Sequence, residues 1–378
     1  MKRYLILENG EVFEGEAIGA PGEQAGELVF TTNMCGYMET LTDPSYFGQI
    51  VIQTFPMIGN YGSIPQDAEG ECAVSGYVVK ELCKEPSNFR CVSSLNDFLV
   101  ERGVCGIAGV DTRELTKILR ERGVMNAAIS DNPSYDLAAL KDFSIKNAVM
   151  SVTGKDIITY NPGGQVSEKG VISGGDKESA GKKSRAGQPA GGNAPVKIAL
   201  IDYGVKRNIV RELLSRGCEV TVFPAGATDK EILSYEPQGI MLSNGPGDPA
   251  ENTEQVETLK KLLGIRPIFG ICLGHQLLAL ANGGKTRKLK YGHRGANQPA
   301  KNLESGRTYI TSQNHGYEVI ADSVKNGILT YINANDGSCE GMSYPGINAF
   351  SVQFHPEAAA GPKDTAFLFD EFLKRVKE

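Results

Sequence analysis

Three short stretches of the chain hold residues whose types and spacing could do chemistry. The first is FGICLGHQLLAL, residues 269–280, where Cys272 stands between Gly270 and Gly274. An apolar run precedes it and a helix-like run follows. Small residues on both sides permit a tight strand-to-helix turn, a nucleophile elbow, which lifts the side chain out of the core. Such a turn sets Cys272 at a helix N-terminus, where unpaired N–H groups and the helix dipole favour a thiolate. It also aims the N–H of Leu273 at a developing oxyanion. The competing reading is a buried thiol that fills space, since free cysteine is among the most buried residue types.

The second stretch, FSVQFHPEAA, places His355 just past a strand-like run and Glu357 two residues on, with Pro356 stiffening the turn. A cysteine nucleophile needs a base, and the base needs an orienting group. His355 can take the thiol proton and later protonate a leaving amine, while Glu357 accepts from the other ring nitrogen. The pair lies 83 residues beyond Cys272, and on its own His-Pro-Glu reads equally as a surface turn. The third stretch is SNGPGDP, 243–249, where Gly247 offers a second backbone oxyanion donor or simply ends a strand. A phosphate loop is disfavoured, because no G-x-x-x-x-G-K-[ST] pattern is present.

The remaining histidines are less suited to catalysis. His275 follows the elbow and reads as packed, His293 falls in the hairpin-like polar loop YGHRGANQP, and His315 lies between two strands. A zinc site drawn from His275, His315 and His355 lacks the H-E-x-x-H or H-x-x-E-H spacing, so no metal is expected.

These residues need a frame. From residue 196 onward the pattern alternates: KIALIDY strand, VKRNIVRELLSRG helix, EVTVFPA strand, GIMLSN strand, a helix over 252–263, PIFGI strand and the helix after Cys272. Shorter strand-like runs follow, with a hairpin at Asn335-Asp336-Gly337, and a helix over 364–376 closes the chain. Alternating strands and helices predict an α/β fold with a mostly parallel sheet covered on both faces and antiparallel additions. The N-terminal part opens on a hairpin turning at Asn9-Gly10, and LNDFLVERG and TRELTKILRERG read as helices ended by glycine, giving an α+β domain. Residues 161–195 hold nine glycines and no aromatic residue, a composition that cannot offset its ordering entropy. The expected division is therefore 1–155, a flexible linker 156–195, and 196–378.

Composition narrows the function classes. At 378 residues two domains are the prior. A net charge of −6 argues against a nucleic-acid footprint. The charge-free run of 18 residues, Pro267 to Gly284, contains four glycines and reads as a buried strand-turn-helix rather than a membrane span. The N-terminal apolar run, YLIL, is too short for a signal peptide. None of the eight cysteines forms a C-x-x-C pair, which suggests a reducing, cytoplasmic compartment.

With all three stretches in view, the C-terminal part resembles the class I, triad-type glutamine amidotransferases through GICLGHQ, SNGPGDP and QFHPEA. IDYGVKRNIVREL, KYGHRGANQP, ITSQNHGY and EAAAGPKDTAFLFDEF are similar to the small, glutamine-hydrolysing subunits of carbamoyl-phosphate synthetase. So, in the N-terminal part, are TTNMCGYMETLTDPSYFGQIVIQTFPMIGNYG and GVDTRELTKILRERG. The departures are mild: Met38 where that family usually has Gln, Gln298 for a common His, and Tyr317 where Phe also occurs. The resemblance implies a flavodoxin-like amidotransferase domain with a mixed sheet beside an N-terminal small-subunit domain. It implies Cys272, His355 and Glu357 as the triad, and backbone N–H groups of Leu273 and Gly247 as the oxyanion hole. Glutamine would be bound by Ser45, Gly245, Gly247, Leu273, Gln276, Asn314, Gly316 and Tyr317. Ser45 would then reach the site from the N-terminal domain. The resemblance further implies a large synthetase subunit as partner in a heterodimer or higher oligomer, with ATP and magnesium on that partner and no cofactor here. An amidotransferase serving another synthase, a non-catalytic regulatory subunit and a cysteine peptidase are the alternatives.

Overall fold

A computed structural model describes residues 1–163 and 194–378. The N-terminal part begins, as its pattern predicts, with a hairpin of Lys2–Leu7 and Val12–Gly19 turning at Gly10, whose φ of 91° suits glycine. Its strands close into a barrel. Going round, they are Lys2–Leu7, Val12–Gly19, Cys105–Ala108, Gly76–Val78, Gln49–Gln53, Gln24–Thr31 and Met125–Ser130, which pairs back to the first. Successive residues alternate between two apolar clusters, as the period of two in a strand requires. Leu28, Ile50 and Ile107 pack with Leu115 and Leu119 of the helix Thr112–Arg122. Val29, Val51 and Tyr77 pack with Leu95 and Leu99 of the helix Leu95–Glu101. Asp111 caps the Thr112–Arg122 helix by accepting from the N–H groups of Arg113 and Glu114, and Gly123 ends it. An α+β domain was expected; barrel closure was not, because its parallel pairings join segments distant in sequence.

The C-terminal part is a ten-stranded sheet. Its parallel centre runs Cys218–Pro224, Val196–Asp202, Gly239–Leu242, Ile268–Ile271, Ala349–Val352. Antiparallel strands Cys339–Tyr344, Ile328–Asn333, Lys285–Asn302 and Thr308–Ile320 extend it on one side. Core clusters lie on both faces, one around Leu242, Leu259 and Leu277, the other around Phe269, Leu213 and Phe369. The YGHRGANQP segment departs from expectation. It is no polar loop but part of the 18-residue strand Lys285–Asn302, whose pairing with Thr308–Ile320 breaks register between Lys288 and His293 and again between Gly295 and Gln298. Those bulges disrupt the alternation by which a strand is read from sequence.

The expected domain boundary at 155 also moves. Val149, in the helix Ala148–Val152, packs into the core of the C-terminal sheet. Ile158–Tyr160 forms an antiparallel edge strand on Cys218–Pro224, with Tyr160 buried and the Thr159 and Thr221 hydroxyls 2.8 Å apart. Ala148–Val152 and Ile158–Tyr160 thus pack with the C-terminal sheet, and 158–160 are not linker. A three-residue strand beside a glycine-rich stretch is lost when composition is averaged over a window. The rest of the expected linker, 164–193, lies outside the described residues.

Candidate active site

The parallel strands gather the chemistry at their carboxyl ends. Ile268–Ile271 delivers Cys272, and its neighbour Ala349–Val352, paired Ile271 to Val352, leads to His355 and Glu357. On the other side Gly239–Leu242, paired Leu242 to Gly270, leads to Gly245 and Gly247. Val196–Asp202, one strand further, leads to Lys206. Ligand sites in open α/β sheets form at this edge.

Cys272 is the N-cap of the helix Leu273–Ala281 and has φ 52° and ψ −103°. A non-glycine residue held there is strained, as a nucleophile elbow requires. The elbow depends on both flanking glycines. A Cβ on Gly270 would lie 2.7 Å from the Gly274 carbonyl oxygen, and one on Gly274 would lie 2.5 Å from that of Leu242. The Cys272 N–H donates to the Val352 carbonyl at 2.9 Å, tying the elbow to the strand that carries the histidine. As the first helical residue, Leu273 has no intrahelical acceptor for its N–H. Gly247 has φ 86°, so glycine is required there too.

His355 and Glu357 are almost fully buried, and His355 Nδ1 lies 2.7 Å from Glu357 Oε1. This assigns the Nδ1 proton to the carboxylate and leaves Nε2, which is buried without a hydrogen-bond partner, to face the reacting atoms. Burial and Lys206 oppose protonation of His355, but Glu357 and Cys272 outweigh them and raise its pKa to about 9. Burial would raise the Glu357 pKa, yet His355 and then Lys206 hold it below the usual carboxylate value.

Lys206 and Asp43 take part in the same network and were not anticipated. Lys206 Nζ lies 3.2 Å from His355 Nδ1, 3.6 Å from Glu357 Oε1 and 3.3 Å from Asp43 Oδ2. The first of these is a contact between two donors that share Glu357, not a hydrogen bond. Burial works against the ammonium, but Asp43, Glu357 and Glu69 keep Lys206 charged. The available signal was positional: a lysine just past the end of a parallel strand, and an aspartate opening the Asp-Pro-Ser turn.

The two domains meet at the site, as Ser45 predicts. Ser45 sits in the one-turn segment Pro44–Tyr46, where Asp43 accepts from its N–H at 2.9 Å. Asn244 Nδ2 donates to Ser45 Oγ at 2.9 Å, and Asn314 Nδ2 donates to Asp43 Oδ2 at 3.0 Å. A cavity of about 390 Å³ is lined by Ser45, Gly245, Gly247, Cys272, Gln276, Asn314, Gly316 and Tyr317. It therefore gathers every residue expected to bind substrate except Leu273, which adjoins Cys272. Gln276 spends its NH2 group on the Tyr317 carbonyl at 2.8 Å and on Gln353 Oε1 at 2.9 Å, so its own Oε1 is left as acceptor.

The other histidines separate from this site. His275 is fully buried against Ser351 Oγ at 2.8 Å, and burial lowers its pKa to about 3, so it is packed and neutral. His275, His315 and His355 form no common cluster among the described residues. His293 and His315 are instead buried in paired strands, with Glu340 beside them. His293 lies between Asp336 at 2.9 Å and Glu340 at 3.4 Å, an ion-paired arrangement that accounts for its burial.

This elbow, triad and parallel sheet define a class I glutamine amidotransferase, and residues 199–375 match the glutamine amidotransferase class-I family. Residues 5–129 match the CPSase domain of the carbamoyl-phosphate synthase small chain. The chain belongs to the family of carbamoyl-phosphate synthase small chains. It is 48% identical over 375 residues to the carbamoyl phosphate synthase small chain of Clostridium perfringens, covering 99% of both chains. It is 47% identical over 380 residues to that of Fusobacterium nucleatum, covering 99% of this chain and 98% of the relative. To that of Bacillus cereus it is 46% identical over 383 residues, covering 100% and 96%. Among the described residues no helix is long and apolar enough to cross a membrane.

Proposed function

We propose that this chain hydrolyses L-glutamine at Cys272 and passes the ammonia to a large synthetase subunit, which forms carbamoyl phosphate from it with bicarbonate and ATP. The observation that carries the reading is the placement of Cys272 on a cavity it shares with Ser45 of the other domain, with the buried His355–Glu357 pair at the end of the adjacent strand. Cys272 Sγ attacks the side-chain amide carbon. The oxyanion is held by the N–H groups of Leu273 and Gly247. His355, protonated at Nε2, gives that proton to the departing nitrogen, so the C–N bond breaks, ammonia leaves and a γ-glutamyl thioester remains. Water then adds to the thioester, its proton passes to His355, and glutamate is released. Glu357 orients the ring and stabilises its charged form. Gln276, Asn314, Gly316, Tyr317, Gly245 and Ser45 hold the amino-acid end.

A second cavity of about 60 Å³ is lined by His355, Lys206, Glu39 and Ala358 to Ala360. It supports an ammonia exit distinct from the glutamine entrance. On this reading the chain itself needs no metal or cofactor; ATP and magnesium act on the partner, with which it forms a heterodimer or higher assembly in the cytoplasm, serving arginine or pyrimidine synthesis. The test is release of glutamate and ammonia from L-glutamine by the pure chain, and glutamine-dependent carbamoyl phosphate synthesis once the large subunit is added. Failure of either half overturns the corresponding half of the proposal.

A further inference from the structure

Arg294 is a buried guanidinium that makes no ion pair among the described residues. It is 4% exposed, and no carboxylate lies within ion-pair distance of it among the described residues. Its Nη1 donates to the Tyr291 carbonyl at 2.7 Å, while its Nε is buried with no hydrogen-bond partner. Arg3, equally deep in the barrel, shows what full satisfaction looks like: Asp131 at 2.7 Å and three backbone carbonyls. Burying an unpaired cation is costly unless something pairs with it.

The surroundings point to a ligand. Arg294 lines the same cavity as Cys272, Asn314 and Gly316. Its Nη2 lies against Gly316, where an added Cβ would come within 3.3 Å of it. Gly292, with φ 71°, leaves room for the other arm, since a Cβ there would lie 2.6 Å from Nη1. The backbone is fixed from the neighbouring domain: the Thr32 N–H donates to the Arg294 carbonyl at 3.2 Å. Glu27 shares the cavity, but its oxygens are engaged by Lys288 at 2.5 Å and Gln49 at 3.1 Å. Desolvation works against the charge of Arg294 and Glu27 offsets it only in part; a bound anion would stabilise it further.

We propose that Arg294 anchors the α-carboxylate of the substrate and so selects an amino-acid amide over a simple amide. This rests on the glutaminase reading above and adds a residue to it. A guanidinium presents a planar fork of donors that matches a carboxylate, and a lysine does not reproduce it. Arg294 is thus a specificity-determining residue rather than a participant in the chemistry at Cys272.

The test compares L-glutamine with 4-aminobutanamide, which is the same molecule without its carboxylate, on the full chain. Arg294→Met should raise KM for L-glutamine roughly 10- to 100-fold, the worth of a hydrogen bond between charged groups, with kcat little changed. Turnover of 4-aminobutanamide should stay within about two-fold, so that the preference collapses; Arg294→Lys should fall between. Calorimetric binding of L-glutamine to Cys272→Ala and to Cys272→Ala/Arg294→Lys repeats the comparison without turnover. Equal losses on both substrates, or an unchanged KM for L-glutamine, would overturn the assignment. A wild-type chain that releases no ammonia from L-glutamine would overturn the glutaminase reading itself.

Discussion

Asp43 and Lys206, from different domains, meet at 3.3 Å with side chains only 5% and 12% exposed. The contact lies directly behind His355 and Glu357. Its ammonium is shared with Glu357, so the catalytic pair and the domain interface draw on one buried cation. Burial would push the Asp43 carboxyl up, but Lys206 and then His355 hold it down.

Breaking that pair from one side should be worse than removing it whole. Lys206→Met leaves Asp43 and Glu357 buried with less compensation, and should cost about 3–5 kcal/mol of stability. Adding Asp43→Asn should restore part of the loss. A double-mutant cycle by chemical denaturation measures the coupling; strictly additive losses would mean the contact contributes nothing.

Cys272→Ala should abolish glutamine hydrolysis while leaving ammonia-dependent carbamoyl phosphate synthesis by the assembled enzyme intact. The substitution removes the nucleophile at an otherwise unchanged elbow. Wild-type ammonia release from glutamine in this variant would show that another group carries the chemistry.

The pH profile follows from His355. With a folded pKa of about 9, above the ordinary 6.5, the imidazolium persists through neutral pH and is lost as pH rises through about 9. The proton for the leaving ammonia, and with it kcat/KM, should fall in that window. The ion pair also stabilises the fold, fully below about pH 6.5 and no longer above about pH 9. Glu357→Gln removes a group that raises this pKa, so the alkaline limb should move to lower pH; a limb that stays in place would exclude His355 as its source.

Ser45→Ala removes the hydroxyl that accepts from Asn244 at the domain boundary. One neutral hydrogen bond is worth about 0.5–1.5 kcal/mol, so KM for glutamine should rise roughly 2- to 10-fold with kcat near wild type. A fall in kcat with no change in KM would place Ser45 outside the substrate pocket.

Gly274→Ala should damage the elbow from behind, since its Cβ would meet the Leu242 carbonyl oxygen at 2.5 Å. Overpacking of this kind costs about 1–3 kcal/mol, and the shift of Cys272 should lower kcat more than it raises KM. Unchanged melting and turnover would show that the strand-to-helix turn relaxes freely.

The parts of the site that were legible were local. Gly270, Cys272 and Gly274 announce a turn because no larger residue fits there, and His355-Pro356-Glu357 announces a base with its orienter because two residues suffice to carry both. The strand-helix alternation that frames them repeats within a few residues. The bulged strand Lys285–Asn302 and the short strand Ile158–Tyr160 were not legible. A register break erases the period, and a three-residue strand is recognised only through the partner it pairs with.

By itself, the sequence determined which side chains could react, that a sharp turn holds the cysteine, and that two domains flank a glycine-rich stretch. These depend on residue size, backbone freedom and short spacing, which are properties of the chain alone. Tertiary structure decided that Cys272 and His355 leave adjacent parallel strands, that the N-terminal strands close into a barrel, and that Asp43 and Ser45 complete a site built mainly on the other domain. It also decided that Arg294 is buried with no ion-paired carboxylate among the described residues. Pairing across tens to hundreds of residues is settled by which surfaces bury each other best, and no local pattern records that competition.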